Sequence, residues 1–385
     1  MVVITYNNHM KKERQAADFS SNINKIALDD LVLLDQQSLR AAEQFLEQGT
    51  PPNTARSYQA AFRYLQAWSL QRLGHDLTAE PMSVEGAIQF VLDHLPRRDD
   101  ERVLALELPA ALDERLVAMG VKRNPGALKT NTVIHRLSVL GKFHKLQGWD
   151  SPTDDVRYRT LLRSARNTQV HEGERVLKKT AATADPLQAM LATCQDDGLR
   201  GLRDRALLLV AWSSGGRRRA ELAQIQLADL MRQSSGDYLL TLGLGKTERD
   251  GSTRGKPVRG QAAQALDAWL AASGISSGPV FVRLLRNGQP GRQALSGNHI
   301  ALIVKRRAAL AGLQGDWAAH SLRSGFITEA GRQNMAIPDV MAMTDHRSVT
   351  TLMGYYQAGE LLRAPVSELL EAAPHPAPGP VDSIA

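Results

Sequence analysis

Cysteine is nearly missing from this chain: Cys194 is the only one among 385 residues. A single thiol excludes an internal disulfide and any zinc site built from cysteines, and the apolar helical setting "LQAMLATC" makes Cys194 a small core residue. Long apolar runs are missing as well. None reaches the ~18 residues that a membrane span needs, and the first residues lack the apolar core of a secretory signal, so a cytoplasmic protein without membrane contact is expected.

What is present is basic. Lysine and arginine number 47 against 40 acidic residues, a formal charge of +7, and the pI is near 9.6, a balance that favours a polyanionic partner. At this length two domains are the default, each large enough for its own core. Residues 1–40 mix polar and charged residues with little periodicity and are expected to form a flexible extension, with a short helix near 31–39. Asn53 or Thr54 can cap a first long helix in which Tyr58, Phe62, Leu65 and Trp68 fall at helical spacing, with Arg56 and Arg63 on its polar positions. Ser83 caps a second. A third, "KTNTVIHRLSVLGKFHKLQG", turns Val133, Leu137 and Leu140 inward and Lys129, Arg136, Lys142 and Lys145 outward. Between the second and third, residues 96–125 read as a longer loop with one helix. The first domain is therefore all-helical with basic faces, which are either solvated or laid against a polyanion.

From Ser164 to Asp185 the apolar periodicity fades, so residues 166–185 are expected to be a linker between domains. The second domain opens near Pro186. "LRDRALLLVAWSSGG" is a buried helix that ends at Gly215 and Gly216, and Arg217, Arg218 and Arg219 follow at once. "DYLLTLGLGKTERDGSTRGKPVRG" reads as a β-hairpin with a long basic turn, and "GPVFVRL" as a further short apolar stretch. Lys305, Arg306 and Arg307 lie near the middle of the helix "NHIALIVKRRAALAGL", as either a solvated or a polyanion-facing patch.

The stretch "HSLRSGFITEAGRQNMAIPDVMAMTDHRSVTTLMGYY" concentrates the chemistry. His320 and Arg323 stand three apart, so on a helix both point to one face, where imidazole and guanidinium can grip one anionic group. That pairing suits phosphate better than a metal. Arg218 and Glu221, also three apart, give a cation and a carboxylate on one helical face. His346 follows a short helix opened by Pro338, and Tyr355 comes nine residues after it. A phenol titrates near 10 when free, so as a nucleophile at neutral pH it needs cations or a base beside it. Tyr356 points about 100° away from Tyr355 on a helix, so only one of the two can aim at a given atom.

These residues carry a family resemblance. "GRRRAEL" resembles the first arginine box of the tyrosine site-specific recombinases, the phage integrase family, usually Gly-x-Arg-x-x-Glu-Leu. "HSLR" resembles their His-x-x-Arg box, and "DHRSVTTLMGYY" resembles the box in which a Gly-His pair precedes the tyrosine. Each box alone is weak; three in order at suitable separations are strong. The likeness runs from about residue 53 to 370, and "EGER" and "HSLRSGF" give it a Cre-like character. One departure is plain: Asp345 stands where the family has glycine before the histidine.

The resemblance implies a mostly α fold with a small β-hairpin or sheet in the C-terminal domain. Two domains would clamp DNA: a helical core-binding domain at residues 41–165 and an α+β catalytic domain at 186–373, followed by a disordered tail at 374–385. It implies that Arg218 and Arg323 bind the scissile phosphate, that Tyr355 attacks it to form a 3′-phosphotyrosine, and that His320 acts as base or phosphate ligand. His346 would hydrogen-bond the same phosphate. Lys246, on the hairpin, would protonate the departing 5′ oxygen, with Lys256 as the rival for that role. Glu221 would orient Arg218, or serve only as a structural ion pair. Arg217 and Arg219 read as solvated. No cofactor and no metal are implied. The expected partner is double-stranded DNA with inverted-repeat sites in the nucleoid, bound by a homo-tetramer on two sites that is a monomer in solution. A helix from about residue 366, bearing Leu369 and Leu370, would dock into the neighbouring subunit. A type IB topoisomerase-like or telomere-resolvase enzyme shares the phosphotyrosine chemistry and is the alternative.

Overall fold

The computed structural model describes residues 49–98, 104–174, 179–241 and 255–360. The expected N-terminal extension, Lys246, the helix from about 366 and the tail lie outside these residues. The chain forms two compact units that divide between residues 176 and 177.

The first unit is helical. Helix α1 spans Pro52–Leu73, α2 Val84–His94, α3 Ala110–Ala118, α4 Thr130–Leu146 and α5 Val156–His171. Arg97–Arg98 (β1) and Leu104–Ala105 (β2) make a short antiparallel ribbon in the stretch expected to be loop. Helix α1 begins earlier than the Asn53 or Thr54 cap implied. Pro51 is its N-cap and Pro52 its first residue, a position where proline's missing N–H costs nothing. Ser83 caps α2 as expected, its hydroxyl accepting from the Gly86 amide. Phe62, Leu65, Trp68, Val133, Leu137 and Leu140 all lie in the core.

Asp93 and His94 are paired in this core. Trp68 Nε1 and Arg72 Nε donate to Asp93 at 2.9 and 3.0 Å. His94 is fully buried; its Nδ1 lies 2.7 Å from the Phe90 carbonyl and its Nε2 2.6 Å from the Tyr64 hydroxyl, so the ring donates from Nδ1 and accepts at Nε2. Arg136 departs from its expected outward direction. Its guanidinium lies over the Tyr64 ring, 3.4 Å from the centroid, because a planar cation on an aromatic face can be half-buried without a carboxylate. The expected linker also starts too early: α5 runs through His171. Beyond Ala165 this helix has no apolar stripe to advertise it. Asp155 caps its start, while Gln169 donates to the Pro96 carbonyl and Glu172 pairs with Arg98 at its end.

The second unit surrounds a larger core with α6 (Ala184–Ala192), α7 (Gly198–Ser213), the short α8 (Arg219–Gln224), α9 (Gln261–Ser273), α10 (Gly297–Leu310) and α11 (Ala319–Arg332). Residues 206–211 of α7 are all buried, as a helix apolar on every side requires. Strands β3 (Leu230–Arg232), β4 (Tyr238–Thr241) and β5 (Gly255–Val258) form an antiparallel sheet in that order. Tyr238 pairs with Val258 and Thr241 with Gly255, which is the expected hairpin. β6 (Val282–Leu284) and β7 (Pro290–Ala294) make a second small ribbon. Helices α12 (Ile337–Thr344) and α13 (Val349–Glu360) pack against α11 through a satellite core of Ile327, Ala330, Val340, Leu352 and Tyr356.

Arg306 and Arg307 do not form an outward patch. Arg307 is wholly buried, and both arginines donate to Asp204, itself buried on α7, and approach Asp197. A carboxylate in the core holds these guanidinium groups where helical spacing alone would send them to solvent.

Candidate active site

Four segments converge on one cleft. Helix α7 ends in a turn through Gly215 and Gly216, both at positive φ (95° and 68°). Space as well as conformation demands glycine there. A Cβ on Gly215 would sit 2.1 Å from the Met343 carbonyl oxygen, and one on Gly216 2.3 Å from Arg323 Cα. The turn thus lies directly against α11 and the end of α12, and it delivers Arg217 and Arg218.

Arg218 is the N-cap of α8. Glu221 receives its backbone amide at 3.1 Å and its Nη1 at 2.8 Å, so one carboxylate both caps the helix and fixes the guanidinium. On the first turns of α11, His320 opens toward solvent while Arg323 is only 3% exposed. Arg323 donates to the Gly216 carbonyl at 3.2 Å and to the Thr344 carbonyl, and its Nη2 approaches the His346 ring at 3.2 Å. The Thr344 hydroxyl donates to the Val340 carbonyl at 2.7 Å, which leaves its lone pair for His346 Nδ1, also at 2.7 Å. By this assignment Nδ1 carries the proton and Nε2 is left as the acceptor, 3.4 Å from Arg323 Nη2.

Helix α13 brings the tyrosines. The Thr328 hydroxyl donates to the Tyr355 carbonyl at 3.2 Å, and Gly331 lets the α13 backbone approach so closely that a Cβ would meet the Tyr356 carbonyl oxygen at 2.3 Å. Tyr356 is buried and its hydroxyl donates to the Met335 carbonyl at 2.6 Å. The Tyr355 hydroxyl instead reaches the cleft, 3.2 Å from His320 Nε2. Arg217, Arg218, Arg219, His320, Arg323 and three alanines line a cavity of about 200 Å³ at this point.

The electrostatics follow from crowding cations. His346 is pushed down to about 4, first by burial and then by Arg323 and Arg218. His320 is lowered for the same reasons in the same order. Arg323 falls to about 10 through burial and the neighbouring Arg218 and Arg217, and remains cationic at neutral pH. Both imidazoles are therefore neutral at pH 7, beside two guanidinium groups and a phenol. Among the described residues no group of three or more His, Cys, Asp or Glu side chains could hold a metal ion.

Residues 181–360 match the phage integrase family. An integrase/recombinase XerD homolog from Selenomonas ruminantium is 30% identical over 254 residues, covering 61% of this chain and 70% of the relative. The chain belongs to this family. It is a tyrosine site-specific recombinase, an enzyme that breaks and rejoins DNA. Recombinase Cre of Escherichia phage P1 is 24% identical over 247 residues, covering 59% of this chain and 71% of Cre. The fold is shared with the solved Tn1549 transposon integrase (TM-score 0.53, 16% identity, 86% and 98% of the two chains) and with XerH site-specific recombinase (TM-score 0.51, 15% identity, 90% and 95%).

Of the recombinase residues expected from the sequence, Arg218, Glu221, His320, Arg323, His346 and Tyr355 come together here. Lys246 lies outside the described residues. Lys256, its rival, is 2% exposed, and its ammonium is held by Asp345 at 2.6 Å and by the Ala342 carbonyl. Arg219 is exposed and donates to Asn298. Arg217, expected to be solvated, is instead 1% exposed, and its guanidinium donates to Asp345 at 2.7 Å and to the Met343 carbonyl. The sequence signal for Asp345 was its departure from glycine; nothing in the sequence could name its two partners. Thr344, which fixes the His346 tautomer, gave no signal.

Proposed function

We propose that Tyr355 is the nucleophile of this recombinase and that Arg218 and Arg323 bind the scissile phosphate in the 200 Å³ cavity. The observation that carries this reading is the Tyr355 hydroxyl 3.2 Å from a neutral His320 beside both arginines. As Tyr355 attacks phosphorus, its proton passes to His320 Nε2, and the growing charge on the non-bridging oxygens meets two guanidinium groups that are already in place. The products are a 3′-phosphotyrosine and a free 5′ hydroxyl. Glu221 orients Arg218. His346 adds a hydrogen bond to the same phosphate once the bound anion supplies the reason to protonate Nε2. Lys246 protonates the departing 5′ oxygen. The stored phosphoester is then attacked by a partner strand, so no ATP is consumed.

On this reading the first unit is the core-binding domain, and the two units clamp a duplex carrying inverted repeats. Four subunits on two such sites carry out paired strand exchanges, assembling from monomers. Support for DNA as the partner comes from fold relatives solved on DNA: the Tn1549 integrase with transposon right end DNA, and XerH with its difH substrate. The positive charge of the chain agrees with this.

The test is a denaturing gel of the protein incubated with suicide-nicked DNA that carries its own flanking repeats. A covalent band is expected for the unsubstituted chain and for Tyr356→Phe, and none for Tyr355→Phe. A band that survives Tyr355→Phe refutes the assignment.

A further inference from the structure

The place where this chain departs from its family's pattern is also where three distant segments meet. Asp345 ends α12 with φ 56°, one of two non-glycine residues with positive φ among those described. The left-handed conformation suits glycine best and tolerates aspartate or asparagine; it does not say why this position carries a charge. The contacts of its carboxylate do. Oδ2 accepts from Arg217 Nη1 at 2.7 Å and Oδ1 from Lys256 Nζ at 2.6 Å, so both oxygens are occupied by buried cations. The same two cations also donate to the Met343 and Ala342 carbonyls, which the end of α12 leaves without helical partners. Burying two cations is costly without an anion between them, and Asp345 is the anion both share; Glu221 stands 3.7 Å from Arg217 as a weaker second.

The neighbours of this network give it a role. Arg217 precedes Arg218, and Asp345 precedes His346. Lys256 anchors β5, the far strand of the hairpin on which Lys246 is expected. We propose that Asp345, with Arg217 and Lys256, is a positioning device for strand cleavage: one carboxylate ties the turn bearing Arg218, the hairpin and the segment bearing His346 into a single alignment. This rests on the reading of Arg218 and His346 as phosphate ligands. It also gives Lys256 a role other than proton donor.

The experiment measures single-turnover formation of the covalent adduct on suicide-nicked DNA, with either an ordinary 5′ oxygen or a bridging 5′ sulfur at the scissile phosphate. Sulfur leaves without being protonated, so it rescues a defect confined to proton donation, whether the donor is lost or misplaced, and leaves misplaced phosphate ligands uncorrected. Asp345→Asn, Lys256→Met and Arg217→Met are each expected to slow cleavage at least tenfold on both substrates, with DNA affinity changed less than threefold. The double variant Arg217→Met with Asp345→Asn is expected to be no slower than the worse single one, since the second change removes a partner already lost. Sulfur rescue of Lys256→Met to within tenfold of the unsubstituted rate, or singles that cleave normally, or losses that multiply in the double variant, would overturn the proposal. Should Asp345→Asn fail to fold by circular dichroism, the Lys256→Met and Arg217→Met arms decide alone. Failure of the underlying reading looks different: Arg218→Ala and His346→Ala would then cleave like the unsubstituted chain.

Discussion

Two clusters of arginines lie in the second unit, and they differ in what closes them. In the first, Arg203, Arg306 and Arg307 surround Asp204, with Asp197 alongside, and the central carboxylate is wholly buried between α7 and α10. In the second, Arg217, Arg218, Arg323 and Lys256 share only Glu221 and Asp345, leaving two positive charges in excess beside an open cavity. The same residue types thus serve two ends. Where carboxylates and carbonyls occupy the guanidinium groups, the cluster holds helices together; where cationic donors remain on a cavity wall, it waits for an anion. Charge surplus and opening, rather than arginine content, mark the functional cluster.

Substitutions should separate the two clusters cleanly. The largest effect is expected from Arg218→Ala in the open cluster, which should lower the rate of covalent-adduct formation by about 10² to 10³ while leaving the urea midpoint nearly unchanged. Asp204→Ala in the closed one should do the reverse. Removing the carboxylate strands buried cations and should cost about 3–5 kcal/mol in urea denaturation, with cleavage per folded molecule close to normal. If Asp204→Ala abolished cleavage at full stability, the distinction drawn here would fail.

Acid offers a second comparison, between His94 in the first unit and His346 in the second. Both have folded-state values below the ordinary 6.5, His94 at about 3 and His346 at about 4, chiefly through burial. Between pH 6.5 and about 4 the unfolded chain therefore binds protons that the folded chain does not, and stability falls as pH falls through that window. At pH 5 the loss from fully buried His94 should reach about 2 kcal/mol, and the loss from half-buried His346 should be smaller because solvent screens it. Urea titrations at pH 7 and pH 5 measure this, and His94→Gln should flatten the dependence. His320, also lowered, must stay neutral to accept the tyrosine proton, so cleavage should be level from pH 8 to 6.5 and decline below. The smallest effect concerns the excess charge itself. Inorganic phosphate at several times its dissociation constant should raise the unfolding free energy by about 1 kcal/mol in the unsubstituted chain and by less in Arg218→Ala. Equal stabilisation of both would mean that the anion binds elsewhere.

Much of this protein was written locally. The helical stripes of α1 and α4, the Ser83 cap, the alternation of β4 and the buried run in α7 are dictated by neighbours a few residues away, and so were legible. The spacing of His320 to Arg323 and of His346 to Tyr355 is local in the same sense, which is why a handful of short boxes sufficed to identify the site. The end of α5 was not legible, because a polar helix held by a cap and by contacts with Pro96 and Arg98 carries no apolar period.

The sequence alone determined which helices form and which residue types the site would hold, because propensity, capping and hydrophobic period act within a turn or two. Tertiary structure alone decided where the long cationic side chains went. Arg136 lies over Tyr64, Arg307 reaches Asp204 103 residues away, and Arg217 and Lys256 reach Asp345 across 128 and 89 residues. A guanidinium or ammonium on a flexible stem can point to water or inward, and only a carboxylate or ring brought close by folding makes the inward choice favourable.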